Sequence, residues 1–220
     1  DAMASQASSP TGEYPKVRRA QDRLHPLLRA FAWFLSGIFH PLLVPTFGFA
    51  LFLYASRYQF ANYDDARKGF ELLKVFLLTA FFPGFTIGLM KALGFIRSVD
   101  LIRRDERVLP YVATGFFYIW AYVVYHRTFE PAVFQAMLLG SAIAVFTGLI
   151  LNAVWDKVSM HTSGMGGAVA SVMLMMPLVP VDLTPVFVLV VLAAGLVGTA
   201  RLLLQAHTPQ QVLAGYLVGY

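Results

Sequence analysis

Ala132-Val-Phe-Gln-Ala-Met-Leu-Leu-Gly-Ser-Ala-Ile-Ala-Val-Phe-Thr-Gly-Leu-Ile-Leu-Asn-Ala-Val-Trp155 runs for 24 residues without a charged side chain. At about 1.5 Å per residue a helix of this length spans the ~30 Å hydrocarbon core of a bilayer. Similar stretches lie on both sides of it. We place them at roughly Ala30–Tyr54, Leu72–Ile96, Val108–Tyr125, Gly164–Val181 and Thr184–Leu204. Together the six stretches predict an all-α, polytopic transmembrane helical bundle with about six membrane spans. His40-Pro41 and Pro45 predict a kink in the first span, and Pro83-Gly84 interrupts the second. A neighbouring helix can re-satisfy the backbone at such breaks.

The composition agrees. Hydrophobic residues make up 58% of the chain and charged residues 13%, with a mean hydropathy of +0.64. Soluble domains carry about 25% charged residues, so this chain cannot cover a water-facing surface. The net charge of +5 admits nucleic acid as a partner class. The cations flank the spans, however, which fits anionic lipid headgroups and argues for the bilayer and against nucleic acid. Without cysteine there is no disulfide, thiolate metal site or Cys nucleophile.

Residues 1–29 read as a polar and basic tail plus a juxtamembrane arm, and residues 30–220 as one transmembrane helical domain. The segment from Asp1 to about Gly12 lacks the charged-then-apolar order of a signal peptide. We read it as a disordered tail, with the first span as the insertion signal. The apolar stretch Val212–Tyr220 is too short to cross, so it either begins a further helix or packs at the interface.

With six crossings, the polar segments after spans two, four and six emerge on one face. These are Arg97–Arg107, Trp155–Ser163 and Arg201–Gln211. The Ala55–Glu71 loop and the tight turns His126–Pro131 and Pro180–Pro185 emerge on the other face. The first face thus collects Arg103, Arg104, Arg107, Lys157, Ser159, His161, Arg201, His207 and Gln211, with Gly164, Gly166 and Gly167 at the expected start of span five. Arginines give forked, charge-assisted hydrogen bonds to phosphate oxygens. Backbone N–H groups at a helix start bind anions. Histidine serves as nucleophile or general acid. Taken singly, each element has a plainer explanation: topology and headgroup anchoring for the cations, an interfacial hydrogen bond for a histidine, helix packing for the glycines. Their gathering on one face points to an oxyanion such as phosphate.

Three motifs resemble those of the type 2 phosphatidic acid phosphatase (lipid phosphate phosphatase) superfamily, K-x6-R-P, P-S-G-H and S-R-x5-H-x3-D. Val158-Ser159-Met160-His161 is similar to the second. Ala200-Arg201-x5-His207-x3-Gln211 is similar to the third, and Arg104-Asp-Glu-Arg107-Val-Leu-Pro110 is similar to a loose first motif. The resemblance runs from about the first span to the end. It implies a lipid phosphatase acting without metal or cofactor on a membrane lipid phosphate: phosphatidylglycerophosphate, phosphatidic acid or a polyprenyl pyrophosphate. It implies His207 as the nucleophile that becomes a phosphohistidine and His161 as the proton donor to the leaving group. Arg104, Arg107, Lys157, Ser159, Arg201 and the backbone near Gly164 would hold phosphoryl oxygens. The expected location is a bacterial cytoplasmic (inner) membrane.

This chain departs from the pattern at several points. Gln211 replaces the last Asp; one helical turn past His207, it can accept from Nδ1–H but carries no charge. Asp105, Glu106 and Asp156 are candidates to supply that charge. Arg104 stands where the first motif has Lys, and Val158 and Met160 replace Pro and Gly. Gln211 therefore keeps open a second reading, a non-catalytic lipid-binding or lipid-moving protein on the same scaffold. A coupled transporter fits less well, because of the ionisable groups only His40 sits well inside a span. On orientation, twelve basic residues fall on the motif face and five on the other, which points the motif face to the cytoplasm. Many members of the superfamily carry their site on the outer face.

Overall fold

The computed structural model describes residues 24–57, 59–98, 104–128 and 131–220. The polar tail, most of the basic arm and Arg103 lie outside the described residues. No strand occurs among those described. The helices are α1 (Pro26–Ile38), α2 (Val44–Ala55), α3 (Asp65–Phe76), α4 (Phe82–Ala92), α5 (Val108–Thr128), α6 (Ala132–Val154), α7 (Met160–Met175), α8 (Thr184–Leu203) and α9 (Pro209–Gly219). A π-helical turn, Leu77–Phe81, joins α3 to α4, and a 3-10 turn, Asp105–Arg107, leads into α5.

Four helical runs are long and apolar enough to cross a bilayer: Asp65–Ala92, Asp105–Thr128, Ala132–Val154 and Thr184–Leu203. Large apolar side chains stay exposed on them, among them Phe85, Phe116, Ile143, Ile150, Leu189 and Leu192. Helices that are apolar inside and out belong in lipid. The protein is an all-helical membrane protein.

The remaining apolar elements depart from the sequence expectation. The first stretch is two helices of 13 and 12 residues rather than one kinked span. The residue before a proline is pushed out of helical geometry, so the chain breaks at His40-Pro41. α1 then packs on α8, while α2 packs on α3 and α7. The fifth stretch is a 16-residue helix that begins at Met160, before Gly164, and ends before Pro177. The second begins at Asp65, because the side chain of Asp64 caps it by accepting from Arg67 N–H at 2.7 Å. Pro83 has no N–H to offer the preceding turn, and the π turn just before it absorbs the mismatch.

The interior divides along the bundle. At one end Phe49, Phe52, Phe60, Tyr125, Phe134, Met175 and Leu183 form a closed core. Tyr125 and Val133, beside the first tight turn, Leu183 in the second and Phe60 in the loop before α3 belong to it. Glu71 is buried in the same region, accepts from Tyr125 Oη at 3.3 Å and pairs with Lys74 at 2.7 Å. Described residues of the polar segments after α4, α6 and α8, Arg107, Ser159 and His207 among them, meet at the other end.

What locks that second end is the contact between α7 and α9. A Cβ on Gly166 would come within 2.5 Å of the Tyr216 carbonyl oxygen. One on Gly215 would strike Thr162 and the Ser159 carbonyl, and one on Gly219 the Ser163 carbonyl. The two backbones therefore touch, as small residues allow in membrane helices. Gly166→Ala should lower the thermal midpoint in detergent, with an overpacking cost of about 1–3 kcal/mol. Gly195→Ala in α8, where a Cβ meets nothing within 4 Å, should leave it unchanged. Equal midpoints for the two variants would contradict the close α7–α9 approach.

Candidate functional site

The α7–α9 contact brings the second and third motifs together. Ser159 N–H donates to the Gln211 carbonyl at 3.2 Å, and Thr162 Oγ1 donates to the Val212 carbonyl at 3.0 Å. Ser159 is the N-cap of α7, and its Oγ accepts from Thr162 N–H. His161 thus lies in the first turn of the helix. Its Nε2 stands 3.1 Å from the Ser36 carbonyl of α1, which can only accept, so Nε2 carries the proton and Nδ1 is left for proton exchange.

His207 follows a forced helix end. Gln205 adopts a left-handed φ of 53°, and Ala206 N–H bonds back to the Arg201 carbonyl at 3.1 Å, closing α8. Thr208 then starts α9 with a capping box. Its Oγ1 accepts from Gln211 N–H at 3.4 Å, while Gln211 Oε1 accepts from Thr208 N–H at 3.2 Å. The same Oε1 accepts from His207 Nδ1 at 3.2 Å. The NH2 end of Gln211 donates to Asp156 Oδ2 at 2.7 Å, which fixes which way round the amide sits. His207 is therefore protonated on Nδ1 and holds its lone pair on Nε2.

His161, His207, Arg107 and Arg201 line one cavity of about 670 Å³. Arg107 donates to the Val158 carbonyl at 3.0 Å, and Arg201 donates to Ser36 Oγ at 3.3 Å; both arginines are buried. No carboxylate belongs to the described lining. Away from this polar end the wall is apolar and built of small residues, including Gly48, Gly84, Gly88 and Gly140. The cavity is thus amphiphilic, with a cationic end and a hydrocarbon end.

The other sequence candidates sit elsewhere. Arg104 does not reach the cavity. Its guanidinium caps the end of α6, donating to the carbonyls of Asn152 and Ala153, and Asn152 Nδ2 returns a bond to the Arg104 carbonyl at 3.0 Å. Ser159 is wholly buried and occupied by its cap. Lys157 donates to the Ala206 carbonyl at 3.3 Å and acts on the site through its charge. Gln211 stands behind His207, outside the lining. Gly164, Gly166 and Gly167 lie inside α7 and do not open it. Gly164 fits against Pro41 and Val44, Gly166 and Gly167 fit against α9, and Gly164 and Gly167 both reach the cavity wall.

Two contributors escaped the sequence reading. His40, taken there as a hydrogen-bonding residue at the kink, lines the cavity, its ring edge-on to His161 at 5.4 Å. Ser36 binds both His161 and Arg201. No motif marks either residue; only the break at Pro41 could have suggested that the first stretch turns toward the site.

Burial and the nearby charges of Arg107, Arg201 and Lys157 push the His207 imidazole down to about 2, against the opposing hydrogen bond of Gln211. Burial lowers the Lys157 ammonium, and Arg107 and Arg201 add to this. Burial would raise the Asp156 carboxyl, but the bonds from Gln211 and Lys157 N–H, with the charges of Arg104 and Lys157, hold it below the ordinary range. A histidine kept neutral in the fold takes up a proton only on unfolding. Its contribution to stability is therefore complete above its unfolded value near 6.5 and is lost as pH falls toward 2, at up to about 1.4 kcal/mol per pH unit. The thermal midpoint in detergent should hold from pH 9 to 7 and decline below 6.5, and His207→Gln should lessen the decline. An equal decline in that variant would assign the proton uptake to other groups.

Compared with known proteins, the chain matches no family model, no curated protein and no solved structure.

Proposed function

We propose that this protein is a lipid phosphate phosphatase of the membrane, hydrolysing a phosphomonoester or pyrophosphate of a lipid through a phosphohistidine. The observation that carries the reading is that His207, His161, Arg107 and Arg201, drawn from four separate segments, meet at the cationic end of a cavity whose other end is apolar. An anionic head with a hydrocarbon tail fits both ends. In this reading the chain crosses the membrane six times, with α1 and α2 as one broken crossing and α7 as a short one, in a bacterial inner membrane.

In the proposed reaction His207 Nε2 attacks phosphorus. The bond from phosphorus to the leaving oxygen breaks as His161 Nδ1 takes the proton of the bound phosphate monoanion and passes it to that oxygen. Water then attacks the phosphohistidine, His161 takes a proton from the water, and cleavage of the P–N bond releases phosphate. Arg107 and Arg201 stabilise the charge on the equatorial oxygens, where preorganised donors act most strongly. A neutral His207 needs no deprotonation before it attacks. Arg104 belongs to the helix end and is no part of this set.

A second reading, lipid binding without turnover, is favoured by Gln211 alone. Phosphate release from a panel of lipid phosphates in detergent, with chelator present, separates the two. His207→Ala should abolish release, and His161→Ala should lower kcat by about 10²-fold or more. Arg201→Ala should cost about 10²–10³-fold in kcat, whereas Arg104→Ala should lower stability and leave kcat within about threefold. Lipid phosphate binding by a folded wild type that releases no phosphate would establish the second reading.

A further inference from the structure

We propose that Asp156 is a positioning residue for His207, supplying through the side-chain amide of Gln211 the negative charge that the ring requires when it becomes cationic during phosphoryl transfer. For its use in turnover this rests on the phosphatase reading above.

Gln211 does more than its local role requires. The capping box uses only its backbone N–H and Oε1. The bond to His207 and the bond to Asp156 are additional, and the latter joins residues 55 apart in sequence. Asp156 is itself held at both oxygens, Oδ1 accepting from Lys157 N–H at 2.6 Å and Oδ2 from Gln211 at 2.7 Å. The chain of bonds runs in one direction: Nδ1–H of His207 donates to the amide oxygen, and the amide NH2 donates to the carboxylate. An amide whose N–H is drawn toward an anion has a more negative oxygen, so the two bonds strengthen each other.

The other charges near His207 all oppose a cationic ring. Arg107 faces it from the 3-10 turn before α5, Lys157 from the link between α6 and α7, and Arg201 from α8. Attack by Nε2 on phosphorus puts positive charge on the imidazole. A carboxylate is needed somewhere behind Nδ1, and Asp156 is the acid bonded to that side of the site. Spacing it by one amide has a further consequence: the anion stays at the partly exposed α6–α7 link, away from the cavity, where it would repel a phosphate dianion. The charge absent from position 211 is thus present in the fold, carried by another segment.

The test moves the charge. Asp156→Asn removes it while keeping a similar shape. Gln211→Glu in the Asp156→Asn background puts a carboxylate directly on His207 Nδ1, and glutamate satisfies the capping box as well as glutamine. All three proteins would be compared in detergent for kcat and KM on the best lipid phosphate, and for the Kd of vanadate, which accepts a histidine nitrogen in a five-coordinate shape like the transition state. D156N should lower kcat and weaken vanadate binding, each by about ten- to a hundredfold, with KM within about threefold; the double variant should recover most of both losses. A D156N variant that matches the wild type, or a double variant no better than D156N, would overturn the relay alone. A wild type that neither releases phosphate nor binds vanadate would overturn the phosphatase reading together with it.

Discussion

Helices α7 and α9 touch along their backbones, and the geometry of the site follows from that contact. In a membrane there is no hydrophobic drive between helices, so van der Waals packing and hydrogen bonds must hold them together. Gly166, Gly215 and Gly219 remove the side chains that would keep the axes apart. The resulting distance lets Ser159 N–H and Thr162 Oγ1 bond to carbonyls of α9. His161 in the first turn of α7 and His207 just ahead of α9 are thereby fixed relative to one another, with no loop long enough to blur their separation.

The electrostatics depend on that rigidity. Two buried arginines and a neutral histidine coexist because each has a fixed polar partner. Arg107 bonds to the Val158 carbonyl and Arg201 to Ser36, while His207 bonds to Gln211. Cations held in a low-dielectric pocket act strongly on an anion and need not reorganise when charge moves. Burial and the same cations hold His207 neutral, which in the proposed reaction suits a nucleophile and makes its later positive charge costly. In the proposed relay the Gln211–Asp156 pair answers the second half of that problem from outside the cavity.

The broken first stretch links the site to the rest of the bundle. Pro41 forces the chain out of helix, and the break sends α1 to α8 and α2 to α7. Ser36 reaches the cavity from the end of α1 and His40 from the break itself, and Tyr118 Oη donates to the Pro41 carbonyl at 3.5 Å. The apolar half of the cavity lies against the same region. In the proposed function, head and tail of the lipid are read by elements that share a single kink.

The sequence by itself determined the membrane class and the helical content, and its expected crossing order grouped four residues that line the cavity with charge or imidazole: Arg107, His161, Arg201 and His207. It could do so because apolar runs and crossing parity are one-dimensional properties, and because spacing along the chain decides which polar segments share a face. The tertiary structure decided the rest. Arg104 and Arg107 are three residues apart and look alike in sequence, yet Arg104, just before the 3-10 turn, bonds across to the end of α6, while Arg107, at its close, bonds to the Val158 carbonyl and lines the cavity. The glycines around position 166 read as an anion-binding helix start, but the helix begins at Met160 because Ser159 caps it there. Neither Asp156 behind Gln211 nor His40 beside His161 could be chosen from the chain alone. Hydrogen bonds between segments dozens to more than a hundred residues apart depend on how the helices pack, and sequence spacing carries no record of that.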